Sequence, residues 1–135
     1  MSTIQTPEAP IVKPLIDKET LVQLLHDELT ESQVIVHCSY RPFHNHDKIR
    51  IWKSTYLFDN NSDHKSNFVS SENISLYPNW TWVEANKTHI FTLIFTGLPK
   101  SCESFDLIES IPEPGGFEVR NIRRNKSDVY YLKLK

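Results

Sequence analysis

Thr88–Leu98, THIFTLIFTGL, is the stretch on which the fold turns. It is the longest apolar run in the chain and carries no formal charge. In an extended strand, Phe91, Leu93 and Phe95 share one face, and Ile90, Thr92, Ile94 and Thr96 share the other. The first face is wholly apolar. The second is β-branched throughout, which suits a pleated surface covered on both sides. Such a strand belongs in the middle of a sheet, with Leu93 at the centre of the core and other strands on either flank.

Working outward, both sides of this stretch break into short apolar segments separated by turn residues. Before it, 33–40 (QVIVHCSY) alternates Val34, Val36 and Cys38 against Ile35 and His37. Residues 48–58 (KIRIWKSTYLF) are expected to form one strand, with Ile49, Ile51, Thr55 and Leu57 on one face, interrupted by Lys53, and Arg50, Trp52, Tyr56 and Phe58 on the other. Phe68–Leu76 and 80–84 are shorter strand candidates, and Asn86-Lys87 turns the chain into the central strand. After it come strands at Phe105–Ile111, Phe117–Ile122 and Asp128–Leu134. Glu113-Pro114-Gly115-Gly116 separates the first two, with Gly115 suited to the positive φ of a type II turn. About seven or eight short strands with a turn roughly every ten residues predict a mainly β, antiparallel, immunoglobulin-like sandwich, with a small barrel as the alternative.

The N-terminal region reads differently. Residues 1–16 contain Pro7, Pro10 and Pro14 and are expected to be a flexible lead-in to a single domain spanning 17–135. Asp17 is a candidate cap for an amphipathic helix over 18–30. Leu21, Leu24, Leu25 and Leu29 form its apolar stripe, and Thr20, Gln23, Asp27 and Glu31 lie opposite.

Composition narrows the function. The chain has 135 residues, 39% hydrophobic and 24% charged, with a net charge of −2. That is ordinary for one globular domain and lacks the basic excess of a dedicated nucleic-acid binder. No run reaches the length of a membrane span, and the first residues lack a signal-peptide pattern, so the expected location is the cytoplasm, away from membranes. Cys38 and Cys102 bracket Trp52 with a spacing superficially like that of immunoglobulin domains. However, Lys100 stands where a tyrosine corner needs Tyr, and Cys102 follows the turn-like Gly97-Leu98-Pro99-Lys100. Two separate thiols are expected, since a cytoplasmic chain keeps cysteines reduced.

No phosphate loop, dinucleotide turn or nucleophile elbow is present. His44, His46 and Asp47 could begin a metal site only if His64 and Cys38 completed it, and a solvated loop is the expected fate of this group. No catalytic, cofactor-binding or metal-binding residue is assigned. Two features point to binding. Trp80 and Trp82, in Tyr77-Pro78-Asn79-Trp80-Thr81-Trp82, share a face of an extended segment. Burial in the core is their expected fate, because Trp is mostly buried; exposed, they would anchor a protein or stack on sugar rings.

The second feature is charge asymmetry. Residues 1–31 carry two lysines against six carboxylates, and 118–135 carry six basic residues against two, among them Arg120, Arg123 and Arg124. The sequence thus predicts a non-enzymatic binding or protein-interaction module with an unidentified protein partner. Trp80, Trp82, Arg120, Arg123 and Arg124 are its candidate contacts. A carbohydrate-binding sandwich is the alternative, and the charge balance disfavours nucleic acid.

Overall fold

The computed structural model describes residues 33–134, together with the single position Lys18. The lead-in 1–16 and the expected helix 18–30 therefore lie outside the described residues, Lys18 apart. Among the described residues nine strands run in chain order: β1 Gln33–Tyr40, β2 Asp47–Ile49, β3 Thr55–Asp59, β4 Lys65–Glu72, β5 Thr81–Val83, β6 His89–Thr96, β7 Ser104–Glu109, β8 Glu118–Arg123 and β9 Val129–Leu134. Seven of them form one sheet in the order β8-β7-β3-β4-β6-β1-β9, and β2 and β5 form a separate ribbon. All pairings are antiparallel except β1 with β9.

The mainly β expectation holds. An immunoglobulin-like sandwich asks for two stacked sheets, whereas here the seven strands are joined edge to edge and the sheet curls into a half-barrel. Register shifts between Phe68 and Ser70 in β4, and between Phe105 and Leu107 in β7, supply local bends. At the second of these, Asp106 accepts a hydrogen bond from the amide of Asn121, which has φ 57°. The curl brings distant strands together over the core. Phe105 of β7 meets Tyr130 of β9 edge-on at 4.9 Å between ring centroids, and Phe91 of β6 lies 6.0 Å from Phe117, just before β8.

Thr88–Leu98 behaves as its inner face predicts. β6 sits between β4 and β1, with Phe91, Leu93 and Phe95 buried beside Val34, Val36 and Cys38 of β1. The expectation that both faces are covered is corrected among the described residues. Ile90 is 58% exposed, Thr96 is exposed, and Thr92 and Ile94 are half-buried. A β-branched face therefore attests strand propensity by itself, with no packed layer over it among the described residues.

The single strand expected over 48–58 is also corrected. The chain leaves β2 at Ile49, makes an isolated parallel bridge from Ile51 to Leu76, and enters β3 only at Thr55. The break at 52–54 is held by partners far along the sequence: the Trp52 amide donates to Glu109 Oε2 and the Ser54 hydroxyl to the Ser110 carbonyl. Locally, the Thr55 hydroxyl donates to the Trp52 carbonyl. Ile49, Ile51, Thr55 and Leu57 are nevertheless all buried, so the inward pattern survives the break. Cys38 and Cys102 are separate, buried free thiols, on β1 and just before β7. Burial pushes the Cys38 thiol up to about 12, and burial together with the Asp59 carboxylate pushes Cys102 up to about 11.

Candidate functional site

The site grows from the β2–β5 ribbon. Ile49 and Val83 point inward and are buried, which forces Lys48 and its cross-strand partner Trp82 outward. Just beyond β2, backbone hydrogen bonds tie Ile51 to both sides of Leu76: the Ile51 amide donates to Ser75 O, and the Tyr77 amide donates to Ile51 O, each at 2.9 Å. A cis Tyr77-Pro78 bond and a hydrogen bond from the Asn79 amide to Leu76 O then turn the chain toward Trp80. The hydroxyls of Ser75 and Thr81 pair across this turn at 2.8 Å. In this way the 75–82 segment is pinned beside Arg50 and Trp52.

The result is a ridge of aromatic rings and cations. The Arg50 guanidinium lies 3.7 Å from the Trp80 ring centroid and 4.6 Å from that of Tyr77. It donates to the Pro78 carbonyl at 3.2 Å and pairs with Glu113 at 3.3 Å. Tyr77 packs on Trp52 at 3.8 Å between centroids. The Lys48 ammonium stands 4.5 Å from Trp80 and 5.7 Å from Trp82, so it joins the two indoles. Lys48 makes no ion pair among the described residues. Trp80 is 42% exposed, Tyr77 49% and Trp82 71%. The expected burial of the two tryptophans in the core is thus corrected. The inward places on the ribbon are taken by Ile49 and Val83, and the indoles rest on cations instead.

Beside the ridge is a cleft of about 230 Å³, lined by Tyr40, Asp47, Arg50, Trp52, Trp80, Glu109 and Glu113 among others. Its carboxylates are held, not free. Tyr40 donates a 2.5 Å hydrogen bond to Asp47 Oδ2, which pushes the Tyr40 phenol up to about 12. Glu109 is buried, and burial raises its carboxyl above the ordinary range. Both of its oxygens accept backbone amides, from Trp52 at 2.9 Å and Phe117 at 3.0 Å. Glu109 therefore stitches the end of β7 to two other segments through both of its oxygens.

The three arginines lie apart from this ridge. Arg124 is half-buried and makes a two-point ion pair with Asp128, at 2.5 and 2.9 Å, and also donates to the carbonyls of Pro99 and Cys102. The Asp128 contact holds its guanidinium above the usual range. Arg120 bridges Asp106 and Glu118. Arg123 is exposed and makes no ion pair among the described residues. Arg123 and Arg124 line a pocket with Asn125 and Lys126 that shares no residue with the cleft beside the ridge.

The histidines do not gather. His46 accepts from the Ala85 amide, and the His64 ring contacts Ser66 Oγ and the Gly97 carbonyl. No cluster of three or more metal-ligating side chains occurs among the described residues. None of their helices is long and apolar enough to cross a membrane.

Lys48, Arg50, Trp52, Tyr77 and Glu113 belong to the ridge and its surroundings yet are not among the candidate contacts read from the sequence. The available signal was Lys48 and Arg50 alternating with buried Ile49 and Ile51, which sets two cations on the outward face. The approach of Tyr77 and Trp80 to that face depends on the Ile51–Leu76 bridge and has no local signature. Comparison with protein-family models, curated proteins and solved structures finds no match.

Proposed function

We propose that this protein is a non-enzymatic protein-interaction module, and that its contact surface is the ridge of Tyr77, Trp80 and Trp82 braced by Lys48 and Arg50. The observation that carries this reading is Trp82, 71% exposed on a ribbon whose other side is anchored in the core. Exposing an indole to water costs free energy in an isolated chain, and its burial against a partner recovers it. Trp, Tyr and Arg are also the residue types that dominate binding energy at protein interfaces, above all when they are held in place before binding.

Carbohydrate binding uses the same rings but fits less well. Arg50 stacks against Trp80, so Trp82 is the indole left most open for a sugar. We extend the proposal to the immunoglobulin-like description of the fold in a loose sense only. In that reading the β8-β7-β3 and β6-β1-β9 portions of the single sheet would stand for the two layers, with the register shift in β4 between them.

The test is photo-cross-linking in a native lysate, with the reactive group placed at Asn79, exposed beside the ridge, in one protein and at Asn125 in another. A discrete protein adduct from position 79, lost when Trp82 is changed to Ala while the melting temperature is kept, supports the reading. Equal labelling from both positions, or none from position 79, overturns it. Retardation in polysaccharide gels that Trp82→Ala abolishes would favour the carbohydrate alternative.

A further inference from the structure

The outward face of the sheet on β9, β1 and β6 is as regular as the inward one. The register aligns Val129, Ile35 and Ile94 in one row and Tyr131, His37 and Thr92 in the next. His37 stacks on Tyr131 at 5.0 Å, and its Nδ1 lies 2.8 Å from Thr92 Oγ1. Tyr131 is 79% exposed and Ile90 58%. Toward the C-terminal end of β1 the face runs through Ser39 and Lys133 into a largely apolar cleft of about 670 Å³, which also takes in Arg41 and Phe43. Among the described residues no carboxylate lines this cleft, and neither Arg41 nor Lys133 makes an ion pair with one of them.

We propose that the occupant of this face is the chain's own segment 18–30, seated antiparallel to β1. In this placement the leucine stripe lies on the sheet and the acidic first turn sits near Arg41 and Lys133. Three observations converge on that occupant. First, only residues 31 and 32 separate the segment from Gln33, the first residue of β1. So short a connection returns the chain alongside β1, whose inward side is already filled by Val34, Val36 and Cys38 packed in the core. Second, the lengths agree. A helix over 18–30 is about 20 Å long at 1.5 Å per residue, and the eight residues of β1 span roughly 23–26 Å.

Third, the chemistry matches. Leu21, Leu24, Leu25 and Leu29 need an apolar seat, and the row Val129–Ile35–Ile94 offers one. Running back from Gln33, the helix would begin where β1 ends. Asp17 and Glu19 would then reach the cleft at which Arg41 and Lys133 have no carboxylate partner among the described residues. A second copy of the chain supplies no such short tether, and its own cleft is equally basic.

Hydrogen exchange on the full-length chain tests this placement. Amides of 19–30 should exchange at least about tenfold more slowly than in a free peptide of that sequence, equally at low and high protein concentration. Ile90→Asp and Tyr131→Asp alter exposed positions and should abolish that slowing while β3 and β7 keep theirs. Arg41→Glu with Lys133→Glu should weaken it at low salt and less so at high salt, since exposed charges are screened. Unprotected 19–30 amides in the wild type would overturn the proposal. So would protection that Ile90→Asp and Tyr131→Asp leave intact while the sheet stays folded, or protection that appears only at high concentration, which would assign the face to a second copy.

Discussion

Two groups of aromatic side chains meet opposite fates in this molecule. Phe91, Phe95 and Phe105 are fully enclosed by the curled sheet, whereas Tyr77, Trp80 and Trp82 stand in water on the β2–β5 side. The enclosed rings are positioned by alternation along their strands and by packing on one another and on aliphatic neighbours. The exposed rings are positioned by cations, with Arg50 and Lys48 lying over the indoles. Close packing and ring-to-charge attraction differ several-fold in strength, so the two groups should answer very differently to substitution.

The largest expected effect is in the interior. Leu93 lies between Phe91 and Phe95 on the buried face of β6, and Leu93→Ala should cost about 2–5 kcal/mol by urea denaturation. A loss under about 1 kcal/mol would show that the core can collapse around the missing atoms and would dissolve the contrast with the ridge.

Next comes the brace of the ridge. Arg50 touches Trp80 and Tyr77, pairs with a half-exposed Glu113 and donates to the Pro78 carbonyl. Arg50→Ala should cost about 1 kcal/mol and should loosen the indole, seen as a shift and faster quenching of tryptophan fluorescence. A larger loss, matching that of Leu93→Ala, would mean that the ridge is part of the core.

These contrasts also show what the sequence could tell. Alternation places the buried residues of β1, β6 and β3 because each strand repeats one rule at every second residue. It fails at 52–54, where the backbone is bonded to Glu109 and Ser110 more than fifty residues away. It fails again at Trp80 and Trp82, where hydrophobic type suggested the core but Ile49 and Val83 occupy the inward places. The outward face of β6 is silent for a third reason: β-branched residues satisfy a strand whether or not anything covers them. Of the candidate contacts, the two tryptophans come together at Lys48, and Arg120 and Arg124 are engaged by acidic side chains of the same chain.

A gentler probe addresses Glu109, which lies beneath the ridge and is linked to Trp52. Burial raises its folded carboxyl above the ordinary value of 4.5, so folding favours the protonated form. The stability tied to that proton is fully present below 4.5 and is lost as pH rises through the raised value. Glu109→Gln cannot titrate, so this portion of the slope should vanish. Relative to the variant, the wild type should do better in acid than near neutrality, measured by urea midpoints at the two conditions. Parallel pH profiles would show that the amides of Trp52 and Phe117 compensate the burial in full.

The smallest effect on stability, and the sharpest on function, is expected at Trp82. Its ring is mostly in water, its backbone pairs with Lys48 regardless of side chain, and its nearest cation is the mobile end of a lysine 5.7 Å away. Removing such a ring deprives the fold of little, so Trp82→Ala should change the unfolding free energy by less than about 0.5 kcal/mol. The same substitution should remove the cross-linked partner entirely if the ridge is an interface, because a central anchoring ring contributes far more to binding than to the isolated fold. The two measurements must be made on one preparation, since a destabilised chain also loses partners for trivial reasons. Unchanged stability with lost binding would separate the ridge from the core in kind as well as degree. A stability loss of about 2 kcal/mol or more would instead place Trp82 under some cover in solution and return it to the interior class.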